Sequence, residues 1–92
     1  MEVTRTQQFN SARGPQTVSI TLNDLDLTEQ ELDPALTPYR ATLLDLHAEE
    51  YIAMVMYRSG AFHRNEEKNE KAAAVRLTKI KSLRTSIIGA RP

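Results

Sequence analysis

The stretch Leu36–Gly60, LTPYRATLLDLHAEEYIAMVMYRSG, decides the architecture, because it reads as a helix that needs cover on more than one side. Thr37 can cap its start, Pro38 suits a first helical position where no N–H is required, and Gly60 suits the end. At ~100° per residue, Tyr39, Leu43, Leu46, Met54 and Tyr57 share one side, and Leu44, Tyr51 and Val55 widen the arc. Ile52 and Met56 fall toward the opposite side, and only a narrow strip with Thr42, Asp45 and Glu49 suits water. A helix apolar nearly all round is a buried one. With one other long helix in the chain, the expected cover is further copies of the same protein. The expected oligomer interface is Leu43, Leu44, Tyr51, Ile52, Met54, Val55 and Met56.

The second long helix is HRNEEKNEKAAAVRLTKIKSLRTSIIGA, from His63 to Ala90, with Asn65 as its cap and Gly89 as its close. Glu66, Glu67 and Glu70 stand near its positive end and its bases toward the negative end. Ala73, Leu77, Ile80, Leu83 and Ile87 form a stripe, while Ala74, Thr78, Ser82 and Thr85 make a small, uncharged opposite face. Two such helices joined by a short connection imply an antiparallel helical hairpin.

Ahead of them, TVSITL alternates: Val18, Ile20 and Leu22 face one way, Thr17, Ser19 and Thr21 the other. That is the period of a half-buried strand. EVTRTQQF can pair with it across NSARGP, although its apolar residues are sparse; a mobile arm is the other reading. Thr28 and Glu31 have the spacing of a capping box, and Pro34 limits that segment to about one turn. The expected fold is therefore mainly α: a two-helix hairpin preceded by a short helical turn and a β-like or flexible N-terminal segment, assembling into a helical-bundle oligomer. Residues 1–23 form the arm or β-hairpin, and residues 24–92 the helical hairpin domain.

The totals agree with self-association. Ninety-two residues make one domain at most. A chain of this size buries only about 60 to 65% of its unfolded surface. Without cysteine it has no disulfide to add and no thiolate for metal or nucleophilic chemistry. No apolar run approaches the ~18 residues of a membrane span, and MEVTRTQQFN lacks the pattern of a secretory signal. A cytoplasmic protein without membrane contact is the expectation.

The net charge is zero but segregated. Eight acids lie between Asp24 and Glu50 against Arg40 alone, and six bases with no acid lie from Lys71 onward. Arg76, Lys79, Lys81 and Arg84 fall along the edges of the apolar stripe, where their stems cover it and their heads reach acids on a neighbouring helix. With Arg91 they are also the candidate nucleic-acid contacts, although such a footprint normally gathers charge on one exposed face.

The row Arg40, Leu44, His47, Tyr51, Met54, Arg58 mixes cations with an aromatic residue. Arg40, His47, Tyr51 and Arg58 are the candidate contacts for an anionic ligand, with Arg giving bidentate bonds and Tyr51 stacking. The plainer reading makes them interface anchors. His47 precedes Glu50 by three residues and His63 precedes Glu66, the reverse of the Glu-then-His order of di-iron helices, so no metal and no cofactor is expected. No glycine-rich phosphate loop or nucleophile elbow is present. The reading is a small non-enzymatic, homo-oligomeric interaction protein. Adaptors, structural subunits and inhibitors of a partner protein, including phage-encoded ones, all fit. A nucleotide- or anion-binding oligomer with intersubunit pockets is the first alternative. A helical RNA- or DNA-binding dimer is the second.

Overall fold

Strand alternation in the N-terminal quarter builds a regular β-hairpin in the computed structural model, which describes residues 1–90. Strand β1 (Glu2–Ser11) and strand β2 (Gly14–Asn23) pair antiparallel in an unbroken register, from Glu2 opposite Asn23 to Ser11 opposite Gly14. The Arg13 N–H donates to Ser11 Oγ in the turn, and Gly14 takes φ +113°, a conformation that side chains resist. Thr4 with Thr21 and Thr6 with Ser19 form hydroxyl pairs on the solvent face. The other face turns Val18 and Leu22, with half-buried Val3 and Ile20, toward the helices.

Helix α1 (Arg40–Arg58) follows a 3-10 turn at Asp24–Asp26 and a second at Pro34–Tyr39. Thr37 and Pro38 lie inside that second turn, so they do not open α1; Asp33 caps the turn instead, accepting from the Ala35 N–H at 2.9 Å. The capping box forms as its spacing predicts. Thr28 N–H donates to Glu31 Oε1 at 2.9 Å and Glu31 N–H to Thr28 Oγ1 at 3.2 Å. Gly60, at φ +67°, ends α1, with Gly60 N–H donating to Tyr57 O and Ala61 N–H to Met56 O, the paired bonds of a Schellman motif. Helix α2 (Glu66–Gly89) begins at Asn65, whose Oδ1 accepts from Lys68 N–H at 3.0 Å. Gly89 is its last helical residue and has no positive φ, so it makes no left-handed cap.

The mainly α expectation is corrected here: the protein is an α+β arrangement of one two-stranded sheet and two long helices. The hairpin packs along α1 on one side and α2 packs on another. One cluster joins Leu22 and Leu27 to Leu43, Leu44 and Ala48, with Val3, Ile20 and Ile87 beside it. A second joins Leu46 and Ala53 to Ile80, with Phe62 and Leu77 against it. The physical reason is that α1's second apolar side needs a surface, and the hairpin offers one in the same chain. Cover that the periodicity assigns to other copies comes largely from within. Leu43, Leu44 and Ile52 are fully buried in this single chain, whereas Tyr51, Met54, Val55 and Met56 keep some exposure.

Candidate interaction surface

Glu49, on α1, ties three elements together. Arg5 of β1 donates to Glu49 and to Asp45, one helical turn away, and Arg76 of α2 donates to Glu49 Oε2 at 3.1 Å. Burial opposes ionisation of Glu49, but the bonds from Arg5 and Arg76 outweigh it and hold the carboxyl below its usual range. The two carboxylates, as hydrogen-bond acceptors, hold the Arg5 guanidinium still more firmly protonated. A strand with few apolar residues thereby gains an anchor on the helix.

The same acids border an open groove. Asp45, Leu46 and Glu49 of α1 face Ala72, Val75, Arg76, Lys79, Ile80 and Leu83 of α2, with Phe62 at one end, around a space of about 470 Å³. Val75 is 72% exposed and Leu83 47%. An apolar strip on an otherwise polar helix is what a partner surface uses. Arg5 reaches Asp45 and Glu49 from β1, so a side chain of that strand meets two of the acids that border the groove.

Another side of α1 holds a buried acid. Glu31 is completely shielded, and His47 Nε2 lies 2.9 and 3.0 Å from its two oxygens. Burial again opposes ionisation, but bonds from the Thr28 N–H, His47 and the Thr28 hydroxyl keep the carboxyl below its usual range. An ionised Glu31 carries no proton, so Nε2 donates. The pair fixes the 28–36 segment on α1, and its polar atoms are spent there. His47 also borders a cleft of about 340 Å³ with Glu50, Lys81 and Arg84 over an apolar floor of Leu46, Leu77 and Ile80. Both signs of charge line it.

The row of candidate ligand residues does not converge. Arg40 and Arg58 stand about 27 Å apart along the helix. Arg40 pairs with Asp24 at 3.5 Å and donates to Leu32 O, His47 engages Glu31, and Tyr51 is exposed. Arg58 instead lines a cleft of about 470 Å³ at the hairpin tip with Ser11, Arg13, Gln16 and Ser59. The basic residues of α2 divide similarly. Arg76 is paired with Glu49, Lys79 borders the α1–α2 groove, and Lys81 and Arg84 border the His47 cleft. Arg91 lies outside the described residues.

Asn69 is an organising residue that helical periodicity does not single out. It is buried at the start of α2, where its Oδ1 accepts from the Phe62 and His63 N–H groups and its Nδ2 donates to Tyr57 O. It thereby satisfies the connection between the helices. Only the mismatch of an Asn inside a helix pattern signals it. Among the described residues no group of three His, Asp or Glu converges as a metal cage needs, and no helix is long and apolar enough to cross a membrane. No protein-family model, curated protein or solved structure matches the chain.

Proposed function

We propose that this is a non-enzymatic interaction protein that acts by protein–protein binding and assembles with a second copy of itself. The observation that supports it is surface. The chain exposes 6266 Å², whereas a folded monomer of 10.4 kDa exposes about 5400 Å². The difference is roughly 900 Å², close to the ~800 Å² that each partner contributes to a standard interface. The radius of gyration, 14.7 Å, likewise exceeds the ~12 Å of a compact chain of this length. The exposed Val75 and Leu83 make the α1–α2 groove the surface this reading assigns to the contact. Sedimentation velocity at micromolar concentration should show more than one chain per particle. The double variant Val75→Glu, Leu83→Glu should reduce that mass while retaining helical circular dichroism. A wild-type chain that sediments as a monomer throughout would refute the reading.

A second reading keeps the anionic ligand but moves it. Arg13 and Arg58 line one cleft at the hairpin tip with two serines and no carboxylate. Calorimetry with inorganic phosphate and with nucleotides tests it; heat that Arg58→Ala abolishes supports this reading, and no heat from any of them removes it.

A further inference from the structure

We propose that the outer edge of β1 pairs antiparallel with β1 of a second copy, about a twofold axis at Thr6, making one four-stranded sheet. This rests on the self-association proposed above and states how it is built. Four observations carry it.

The first is that the edge is open and lightly defended. Among the described residues the sheet has two strands, so β1 pairs on one side and its other side meets no strand. Proteins ordinarily blunt such an edge with proline, charged side chains (lysine above all), an inward-pointing charge, a bulge or short length. Strand β1 is ten residues long, contains no proline or lysine, and keeps register with β2 throughout; its inward charge, Arg5, is bonded by Asp45 and Glu49 within the chain. By contrast, β2 carries Pro15 and runs straight into the Asn23 cap.

The second is incomplete cover on the inner face. Val18 and Leu22 of β2 are buried, whereas Val3, Arg5, Gln7 and Phe9 of β1 remain half-exposed. An added strand shields that row from the side.

The third is side-chain register. In an antiparallel pair, residues directly opposite point to the same face. With the axis at Thr6, Val3 meets Phe9 of the second copy, Arg5 meets Gln7, and Thr4 meets Gln8. Moving the axis to Arg5 sets two guanidinium groups against each other. Moving it to Gln7 sets Arg5 against Phe9 and Val3 against Ser11. A shift of one residue in pairing places inner residues opposite outer ones. Of these three axes, Thr6 alone joins apolar to apolar on the face that carries the core, and it keeps most of the strand paired.

The fourth is position. Arg5, on the inner row of β1, bonds Asp45 and Glu49, and those two acids border the groove with Val75 and Leu83. A second copy docked on the edge therefore approaches the surface that the proposed function needs covered.

The chain lacks cysteine, so single thiols report the contact cleanly. Thr6→Cys places two thiols across the axis at a Cα separation of about 4.5 to 5.5 Å, inside the range that a disulfide spans. Thr17→Cys, on the same solvent face of β2, is the control, because β2 becomes an outer strand. Under mild oxidation the Thr6→Cys chain should form a disulfide dimer at least tenfold faster than the Thr17→Cys chain. An equimolar mixture of Thr4→Cys and Gln8→Cys chains should form the mixed dimer in preference to either homodimer. If wild-type protein sediments as a dimer and Thr6→Cys crosslinks no faster than Thr17→Cys, the strand-edge proposal falls and self-association stands. If wild-type protein is a monomer, both fall.

Discussion

Replacing Arg5 by Met tests whether one side chain fastens the hairpin to α1. Met keeps most of the aliphatic stem and removes the guanidinium, so the substitution isolates the bonds to Asp45 and Glu49. A hydrogen bond to a charged group contributes about 1.5 to 3 kcal/mol when shielded, and an exposed ion pair only about 0.2 to 1 kcal/mol. Arg5 is 31% exposed, Glu49 21% and Asp45 46%, so the Glu49 bond counts near the lower shielded figure and the Asp45 bond as a surface pair. Part of this is offset because Arg76 still serves Glu49. The net expectation is a loss of about 1 to 2 kcal/mol, equivalent to about 4 to 16 °C in melting temperature for a domain of this size. Thermal and urea unfolding followed by circular dichroism, at one fixed protein concentration, measure it. The pH dependence supplies an independent check. Glu49 is held below its unfolded value, so its contribution is complete above that value and disappears as pH falls through the folded one. Wild type should therefore lose more stability than Arg5→Met on acidification below the ordinary carboxylate range. A variant within a few tenths of a kcal/mol of wild type, with an unchanged acid limb, would show that apolar contact alone holds the hairpin.

Glu31→Gln should cost about 1 to 3 kcal/mol at neutral pH, because a fully buried carboxylate serving the Thr28 N–H and His47 loses its charge. Its folded value is also lowered, so wild type and variant should converge in urea unfolding as pH falls through that value. Asn69→Ala strands two N–H groups and one carbonyl in the connection between the helices, and should cost about 2 to 3 kcal/mol. Faster hydrogen exchange at the Phe62 and His63 amides should accompany that loss, and unchanged exchange there would contradict the assigned role.

The two helices, the end of α1 and the start of α2 were legible because the information is local. A 3.6-residue period, an Asn at the start of α2, a Gly after α1 and the Thr28–Glu31 spacing each act within a few residues. Strand β2 was legible for the same reason, in the alternation of Val18, Ile20 and Leu22. Strand β1 was harder, since its inner row is Val3, Arg5, Gln7 and Phe9, and two of those four are polar. Its anchor is an arginine whose acids lie 40 and 44 residues further along the chain. No period within β1 encodes that pairing. The row Arg40, His47, Tyr51 and Arg58 fails in the opposite way. Helical spacing correctly assigns its members to one face, but a face has length, and its ends are too far apart to grip one small ligand.

The two-sided apolar character of α1 carries a more general consequence. Read as a demand for cover, it was correct; read as a demand for other copies, it assumed that the N-terminal quarter had nothing to offer. The hairpin meets much of that demand inside the chain, which is why Leu43, Leu44 and Ile52 are fully buried. Any case for self-association must therefore rest on what the hairpin and α2 still leave open. Those features include the β1 edge, the half-covered Val3 and Phe9, and the exposed Val75 and Leu83. They differ in kind, one being backbone and the others side chain, and Arg5 links the strand to the groove through Asp45 and Glu49. The proposed second copy would be asked to cover these features, whereas an exposed position on α1 such as Tyr51 lies singly and requires no partner.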